Sequence, residues 1–267
     1  MNQIQTELFS EIEPETPKQR DDYEKSPDIS GLFELSIDAF YSALYADMSE
    51  LPIRAELHRF IEKVKAAAIE ASLSAATSAA ARSATASKAA FSKADASIAA
   101  RAAADKAATD RGDPDVLKIL KIAAKVGHEI HRLMGLLRFS PNGEGVYIAH
   151  CSPDYFILPA LAEHFTLRFN KTPWAIIDEK RGLCLCRDRN QPAKIKAKIY
   201  PLSELPEFID KDVHDIHVHN EQNSGKVHWE DLWRLYHRSV TNEGKKNLRL
   251  QRQFMPERYH KYLTELH

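Results

Sequence analysis

The spacing of apolar residues predicts a first half that is helical and a second half that mixes helices with strands. Between residues 29 and 48, large apolar side chains occur at mixed spacing, which predicts a short strand followed by a helix from about Ser36. Another helix is expected after Pro52. Residues 64–111 are close to half alanine and contain no Gly or Pro, so helix propensity is high throughout. We expect a long or hairpin-shaped helical segment there, serving as a spacer or an interaction arm.

A further helix is predicted from Pro114 to about Leu136, because Asp113 suits the N-cap and proline suits the first helical position. Its apolar residues share one helical face, and basic residues at steps of three and four share the opposite face. This basic stripe consists of Lys118, Lys121, Lys125, His128 and Arg132. Such a stripe is either a solvated helix face or a row of contacts to phosphates.

The remainder of the chain carries patterns typical of strands and shorter helices. Apolar runs flank two glycine-containing turns, residues 141–145 and 179–182, which predicts two β-hairpins. A helix is expected between them, an edge strand within residues 194–202, and two more helices over residues 228–240 and from Pro256. The predicted fold class is therefore α+β, with an antiparallel sheet of two hairpins packed against helices and preceded by the helical, alanine-rich segment.

Composition divides the chain into three regions and excludes membrane proteins. Residues 1–28 are rich in Glu, Pro, Asp, Lys and Ser, which predicts a disordered tail. Residues 29–113 form the predicted helical region, and residues 114–267 form the predicted α+β domain. Nothing resembles a signal peptide or reaches the roughly 18 apolar residues of a membrane span, so we expect a cytoplasmic protein without membrane contact.

The net charge of −1 conceals an asymmetry between the two halves. Residues 1–115 hold 13 Lys and Arg against 20 Asp and Glu, whereas residues 116–267 hold 24 against 18. Residues 234–261 also combine basic side chains with Tyr and Phe, as surfaces that bind single-stranded nucleic acid do. The pattern predicts an anionic partner for the second half, and a basic tail whose rings dock on the core is the alternative.

Motifs for cofactors and metals are sparse. The glycine-rich nucleotide-binding, nucleophile-elbow and zinc-protease motifs are absent, so no cofactor is expected. His214, His217 and His219 lie within a polar connector, and we interpret them as a surface cluster rather than a metal site. Cys184 and Cys186 point the same way on a predicted strand, either as small core residues or as a redox pair.

Two residues are candidates for an acid or base. His131 lies near the edge of the apolar face of the helix that begins at Pro114, and Asp154 precedes a predicted helix. A partly buried structural histidine and a helix-capping aspartate are the respective alternatives.

Several blocks of the second half carry a resemblance to a known family. They are VLKILKIAAKVGHEIHRLMGLLRF (116–139), SPDYFILPALAEHFTLRF (152–169), WAIIDEKRG (174–182), LWRLYHRSV (232–240) and NLRLQRQFMPERYHKYLTE (247–265). In this order and spacing they resemble the bacterial family labelled "probable DNA metabolism protein". Tyr155 and His260 depart from the family pattern, which commonly has His and Trp at these positions.

The resemblance implies a role in DNA modification or repair. The family is associated with a predicted radical-SAM protein, and its domain also occurs fused to uracil-DNA-glycosylase-like proteins. The matching blocks carry over these positions: His131, Arg132, Arg138, Asp154, His164, Arg168, Asp178, Arg181, Arg252, Pro256, Arg258 and Tyr259.

The leading hypothesis is a DNA-binding accessory domain that acts with a partner enzyme, a radical-SAM or uracil-DNA-glycosylase-like protein. Its predicted nucleic-acid-binding residues are Lys118, Lys121, Lys125, Arg132, Arg138, Arg168, Arg181, Arg249, Arg252 and Arg258. A second hypothesis is a hydrolase or nuclease-like enzyme that uses His131, Asp154 and Asp178. A third is a protein–protein adaptor that acts through the alanine-rich helix. We expect no bound metal.

Overall fold

The computed structural model describes residues 27–83, 93–142, 145–188, 197–206, 209 and 229–266. They form two compact units, the first ending at His128 and the second beginning at Glu129. The tail predicted for residues 1–28 lies outside the described residues except for Pro27 and Asp28, and the boundary predicted before Pro114 stays a prediction.

The described elements of the first unit are all helices. They are α1 (Leu32–Leu35), α2 (Ile37–Met48), α3 (Arg54–Ser83), α4 (Lys93–Ala108) and the first part of α5 (Pro114–Leu136). The strand predicted before Ser36 is wrong, because α1 occupies that position. Ser36 explains the mixed spacing: its extended backbone separates α1 from α2, and its hydroxyl caps α2 by accepting a 3.1 Å hydrogen bond from the N–H of Ala39.

The described part of the alanine-rich segment is helical, as its composition predicts. Helices α3 and α4 pack against each other, and their small side chains allow a close approach. The described residues buried in the two helices are Leu57, Phe60, Ile61, Val64, Ala68, Ala100, Ala104, Ala107 and Ala108. The predicted N-cap of α5 is also present, since the Asp113 carboxylate accepts hydrogen bonds from the N–H groups of Asp115 (2.8 Å) and Val116 (3.1 Å).

The second unit is built on a five-stranded sheet in the order β1–β2–β3–β4–β5. The strands are β1 (Ser140–Pro141), β2 (Tyr147–Cys151), β3 (Trp174–Asp178), β4 (Leu183–Arg187) and β5 (Lys198–Pro201). Both predicted hairpins form, β1 with β2 and β3 with β4, and β5 joins the edge beside β4. The α+β class is therefore confirmed.

The sheet is mixed, so the prediction of an antiparallel sheet is wrong. Strands β2 and β3 pair in parallel, with Tyr147 opposite Trp174 and Cys151 opposite Asp178. The physical reason is helix α6 (Leu158–Phe169), which carries the chain from the end of β2 back to the start of β3. Two hairpins joined by such a crossover helix must meet along parallel strands.

Apolar side chains cover both faces of this sheet. One face buries Ile148, Ala175, Ile177 and Cys184 in a single cluster. On the other face, rings from α6 pack around Trp174, whose centroid lies 6.1 Å from that of Phe165. Because β3 is buried at every residue, it forms the centre of the unit.

The C-terminal residues of the second unit form two helices and a series of short turns. The helices are α7 (Trp229–Val240) and α8 (Leu248–Phe254). The helix predicted from Pro256 instead forms two 3₁₀ turns, Glu257–Tyr262 and Thr264–Leu266, which bury Tyr259 and Leu263 and leave Arg258 accessible. Among the described helices, none has the length and apolar character needed to cross a membrane.

Candidate functional site

Polar side chains concentrate at the edge of the sheet where the parallel strands β2 and β3 both end. The chain leaves β2 at Cys151 into a loop that contains Pro153, Asp154 and Tyr155, and it leaves β3 at Asp178 into a tight turn. Ligands in α/β proteins bind most often at the carboxyl ends of parallel strands. The polar side chains at this edge therefore form the candidate functional site.

Glu129 is the centre of the polar network at this edge. It lies on α5 with only 1% of its surface exposed. Its carboxylate accepts 3.0 Å hydrogen bonds from the backbone N–H groups of Asp154 and Tyr155, so it fixes the loop after β2. The guanidinium of Arg258 (2.8 Å) and the hydroxyl of Tyr259 donate to the same carboxylate. A buried carboxylate with four donors is fully satisfied and orders every segment that contacts it.

Arg258 links this buried carboxylate to the surface. Its guanidinium also forms an ion pair with the half-exposed carboxylate of Asp154 and donates a 2.9 Å hydrogen bond to the Tyr259 hydroxyl. Burial, together with the hydrogen bond to Glu129, raises the pKa of Tyr259 well above its usual range. The hydroxyl of Tyr259 therefore stays protonated and acts as a donor.

Asp178 organises the opposite side of the loop. Its carboxylate is fully buried and accepts hydrogen bonds from the Arg181 guanidinium (2.9 Å) and the Lys180 N–H (3.0 Å). Burial raises the pKa of Asp178 despite the neighbouring Arg181. Arg181 and Lys180 in turn donate to the carbonyl of Asp154 at 3.0 and 2.8 Å. Glu129 thus accepts hydrogen bonds from the N–H groups of the loop after β2. The turn after β3 donates hydrogen bonds to carbonyl groups of the same loop.

A second group of polar side chains lies beside the loop after β2 and the turn after β3. Glu179 accepts hydrogen bonds from Lys261 (2.9 Å) and the Tyr262 hydroxyl (2.7 Å), and its carboxylate lies 3.3 Å from Nδ1 of His150. Although burial opposes ionisation, the hydrogen bonds from Tyr262 and Lys261 leave the pKa of Glu179 below its usual range. Glu179 therefore anchors the last 3₁₀ turns to the sheet as a carboxylate.

The structure does not join the three predicted catalytic residues into one constellation. His131 is exposed on α5, and among the described residues no hydrogen bond or ion pair connects it with Asp154 or Asp178. Asp178 is enclosed by the turn that it stabilises, and Asp154 is accessible but paired with Arg258. Within the part of the chain that is described, no cluster of His, Cys, Asp and Glu has the arrangement of a metal site.

The remaining candidates from the sequence have clear positions or lie outside the described residues. His214, His217 and His219 lie outside the described residues. Cys184 and Cys186 are buried in β4 as free thiols. Tyr155 is half-buried, and burial beside Glu129 raises the pKa of its hydroxyl.

The predicted nucleic-acid-binding residues fall into two groups. The first group is held by acids: Lys118, Arg138, Arg181, Arg252 and Arg258 pair with Glu56, Glu265, Asp178, Glu257 and Glu129, respectively. The second group forms no ion pair with another described residue and consists of Lys121, Lys125, Arg132, Arg168 and Arg249, of which all but the half-buried Arg132 are exposed. The second group is thus the one available to an anionic ligand.

Helices α7 and α8 present an unusual surface, which we term the α7–α8 surface. None of their described side chains is buried. Tyr236 is 57% exposed and Phe254 is 62% exposed, and exposed cations accompany these rings. The exposed cations on the two helices and the turn between them are Arg238, Lys245, Lys246, Arg249 and Arg252, of which Arg252 pairs with Glu257. The half-buried Arg234 of α7 donates a hydrogen bond to the Thr264 carbonyl. Exposed rings and cations together can stack on bases and contact phosphates.

The fold is that of an α+β protein with a mixed sheet. Hydrogen bonds hold the loop after β2 in place, and α7 and α8 carry exposed basic and aromatic residues. The chain belongs to the family described as domain of unknown function DUF4130, whose model matches residues 93–265. The match covers the whole described second unit except Leu266. A search of curated proteins and a search of solved structures each found no match.

Sequence reasoning missed Glu129, the buried carboxylate that joins α5, the loop after β2 and the C-terminal turns. A signal was present, because Glu129 occurs among the buried residues Val126, Ile130 and Leu133 of α5. A charged residue within an apolar helical face requires a buried partner. No spacing in the sequence shows that this partner is Arg258, because the two residues are 129 positions apart.

Proposed function

We propose that the protein binds DNA as an accessory factor in DNA modification or repair and acts with a partner enzyme. The observation that carries this proposal is that Tyr236 and Phe254 are 57% and 62% exposed and that the same two helices carry the exposed cations Arg238 and Arg249. Exposed aromatic rings on elements that also carry exposed basic residues are what a surface that binds single-stranded nucleic acid uses.

The composition of this surface favours single-stranded DNA as the ligand. Every base presents a face on which a Tyr or Phe ring can stack, and such stacking is tolerant of sequence. Exposed Arg and Lys side chains contact the phosphates between the bases. Arg249 forms no ion pair with another described residue, so a phosphate would not have to displace a partner within the described part of the chain.

The geometry at the end of β2 supports binding rather than independent chemistry. The carboxylates of Glu129 and Asp178 are buried and each accepts several hydrogen bonds, which is typical of structural groups. The hydrolase or nuclease hypothesis needs His131, Asp154 and Asp178 to act together, and no observation in the described residues favours it. The partner that the resemblance implies, a radical-SAM or uracil-DNA-glycosylase-like protein, would supply the reaction.

The test is the binding of a fluorescent oligonucleotide, single-stranded or as a duplex, measured by anisotropy over a range of salt concentrations. For the full chain we expect tighter binding to the single strand and weaker binding as salt increases. The double variant Tyr236→Ala/Phe254→Ala should lose affinity by at least about tenfold, since stacking contributes roughly 1–3 kcal/mol per base. Lys198→Glu on β5 is the matched control, because Lys198 is exposed but lies outside the α7–α8 surface.

The outcomes separate specific binding from general charge attraction. Loss of affinity in the aromatic variant but not in Lys198→Glu supports the proposal. Equal losses of affinity in both variants would show that the interaction with DNA is non-specific charge attraction. If neither form of DNA binds at about 100 μM protein and low salt, where electrostatic attraction is strongest, the proposal is wrong.

A further inference from the structure

Two aromatic rings of α7 lie against each other at the surface of the second unit. Their centroids, in Trp233 and Tyr236, are 5.7 Å apart, and their planes are inclined by 31°. The two residues are three positions apart, so both project from the same side of the helix. Trp233 is 39% exposed, and Tyr236 is more than half exposed. These two residues, which we term the ring pair, therefore present accessible aromatic surface to a ligand.

Contacts with the C-terminal turns hold Trp233 in one orientation. Its indole N–H donates a 3.0 Å hydrogen bond to the carboxylate of Glu265, whose side chain is almost fully buried. Arg138 donates to the same carboxylate at 2.6 Å, and its guanidinium lies 5.7 Å from the centroid of the Trp233 ring. Arg234 of α7 also donates a 3.0 Å hydrogen bond to the carbonyl of Thr264. Because the ring is held before a ligand arrives, binding costs little side-chain entropy.

The hydrogen bond to Glu265 determines what the ring pair can bind. The N–H group is the only polar group of an indole, and in Trp233 it is already engaged. Trp233 therefore offers a ligand only the apolar part of its ring. A matching ligand must itself have a planar or apolar face, as nucleobases and proline rings do.

The charge of α7 and of the turn after it favours a nucleobase over a proline-rich peptide. Arg238 near the end of α7 and Lys245 in that turn are exposed, and neither forms an ion pair with another described residue. Asp231 in the first turn of α7 already pairs with Arg234 at 3.0 Å. The resulting positive potential attracts phosphates but not an uncharged peptide. Each base of a DNA strand is linked to a phosphate, so a single strand supplies both the planar face and the negative charge.

We propose that the ring pair is a stacking site for an unpaired base of single-stranded DNA, with Glu265 as the residue that positions Trp233. This inference rests on the proposed function and names the rings that contact a base. In a duplex the neighbouring base pairs cover both faces of each base, so the site requires an unpaired one. Arg138, which the sequence predicts as a phosphate contact, acts instead by holding Glu265 beneath the indole.

The test compares two labelled single strands of twelve nucleotides with the same number of phosphates. One strand carries ordinary bases, and in the other stable abasic residues replace them. By anisotropy, the full chain should bind the strand with bases at least about tenfold more tightly than the abasic strand, because only bases stack. In Trp233→Leu/Tyr236→Leu this ratio should fall by about tenfold. Binding to the abasic strand should stay unchanged, since it depends on charge alone.

Two further variants separate the role of the rings from general effects. Leu235→Ala removes an exposed apolar side chain of the same helix that carries no ring, and the ratio should stay as in the unmodified protein. Trp233→Phe keeps an aromatic ring but cannot donate to Glu265, so the ratio should fall by about threefold. A variant that merely fails to fold would lose affinity for both strands and leave the ratio unchanged.

The outcomes distinguish this inference from the proposed function. Equal affinity of the full chain for both strands would leave DNA binding intact as charge attraction and show that the ring pair is not a base site. An equal fall of the ratio in Leu235→Ala would also overturn the assignment, because any apolar contact would then suffice. Tighter binding of a twelve-residue polyproline peptide would assign the ring pair to a protein partner. If neither strand binds at about 100 μM protein and low salt, the proposed function fails and the stacking site fails with it.

Discussion

Arg258 donates a 2.8 Å hydrogen bond from its guanidinium to the buried carboxylate of Glu129, 129 positions earlier in the chain. This contact divides the basic C-terminal segment into two parts of different character. Beyond Met255 the chain is tied into the second unit by Arg258, Tyr259 and Leu263. Before Met255, no described side chain of α7 or α8 is fully buried, although Trp233 and Arg234 of α7 donate hydrogen bonds to Glu265 and to the Thr264 carbonyl. Docking on the core, one of the two alternatives from the sequence, therefore describes the stretch after Met255, and ligand binding by α7 and α8 stays a prediction.

Removing the charge of Glu129 should destabilise the second unit. In Glu129→Gln the N–H groups of the loop after β2 and the Arg258 guanidinium lose a shared anionic acceptor. We expect the free energy of unfolding to fall by about 2–4 kcal/mol, as when a buried ion pair loses one partner. Urea denaturation measures this change. The control is Glu62→Gln on the exposed side of α3, which should stay within about 0.5 kcal/mol, and a similar value for both variants would contradict the assigned role.

Stability should depend on pH through Glu265. Burial alone would raise the pKa of this carboxyl, but hydrogen bonds from Arg138 and Trp233 lower it from 4.5 to about 2. A pKa that is depressed in the folded state gives stability above the unfolded pKa, and this stability is lost as the pH falls toward 2. Glu265→Gln should therefore be less stable by about 3 kcal/mol at pH 7, and the difference should shrink between pH 5 and pH 2.

The measurement for Glu265 is urea unfolding of both proteins across that pH range. The carboxylate is almost fully buried against Arg138, so added salt should screen the effect only weakly. A difference between the two proteins that is independent of pH would show that the Arg138 ion pair does not stabilise the fold.

The basic stripe on α5 should divide into a structural lysine and two accessible ones. Lys118 pairs with Glu56 at 2.6 Å, whereas Lys121 and Lys125 form no ion pair with another described residue. If the stripe contacts phosphates, Lys121→Glu/Lys125→Glu should weaken DNA binding. The salt slope, which is the slope of the logarithm of the binding constant against the logarithm of salt concentration, should become smaller by about 0.7 per lysine on a single strand. Its stability should change by less than about 0.5 kcal/mol.

Lys118→Glu gives the contrasting result for the same stripe. It places a carboxylate against Glu56, so its thermal midpoint should be lower than that of Lys121→Glu. The salt slope comes from anisotropy titrations and the midpoint from circular dichroism. Identical midpoints for the two single variants would show that the Lys118 pair does not contribute.

The three thiols should be unreactive in the folded protein. Cys151, Cys184 and Cys186 are all buried, and burial raises the pKa of Cys151 well above its usual range. A hydrogen bond with Cys186, together with burial, does the same for Cys184. A chromogenic disulfide reagent at pH 8 should therefore label no thiol until denaturant is added. Rapid labelling of two thiols in the native state would instead favour the redox-pair interpretation of Cys184 and Cys186.

Local patterns predicted most elements because their causes are local. The hairpin turn at Gly182, with a φ of 64°, and the Asp113 cap both depend on a few neighbouring residues. The parallel pairing of β2 with β3 was not predictable from either hairpin, since it depends on how α6 crosses the sheet. The α1 turn was missed because Ser36 interrupts the apolar spacing that indicates a helix.

The contacts of the candidate site were likewise not predictable where they join segments that are distant in the sequence. The sequence predicts Arg181 and Arg258 as cations for phosphate. It gives no sign that Glu129 binds Arg258, whereas Asp178 lies only three positions before Arg181 and is a candidate partner by spacing. Ion pairs between distant segments depend on the tertiary fold, which a single sequence does not encode in any spacing. Exposure of the rings on α7 and α8 likewise follows from which side of each helix remains uncovered.

Both edges of the described sheet are protected against pairing with a neighbouring molecule. Strand β1 has only two residues and ends at Pro141, and β5 begins at the exposed Lys198 and ends at Pro201. Proline lacks the N–H that a new strand would need, and a lysine on an edge strand disfavours stacking of like-charged copies. The central strands of this sheet are strongly apolar, so these short edges interrupted by proline oppose the edge-to-edge pairing through which such strands aggregate.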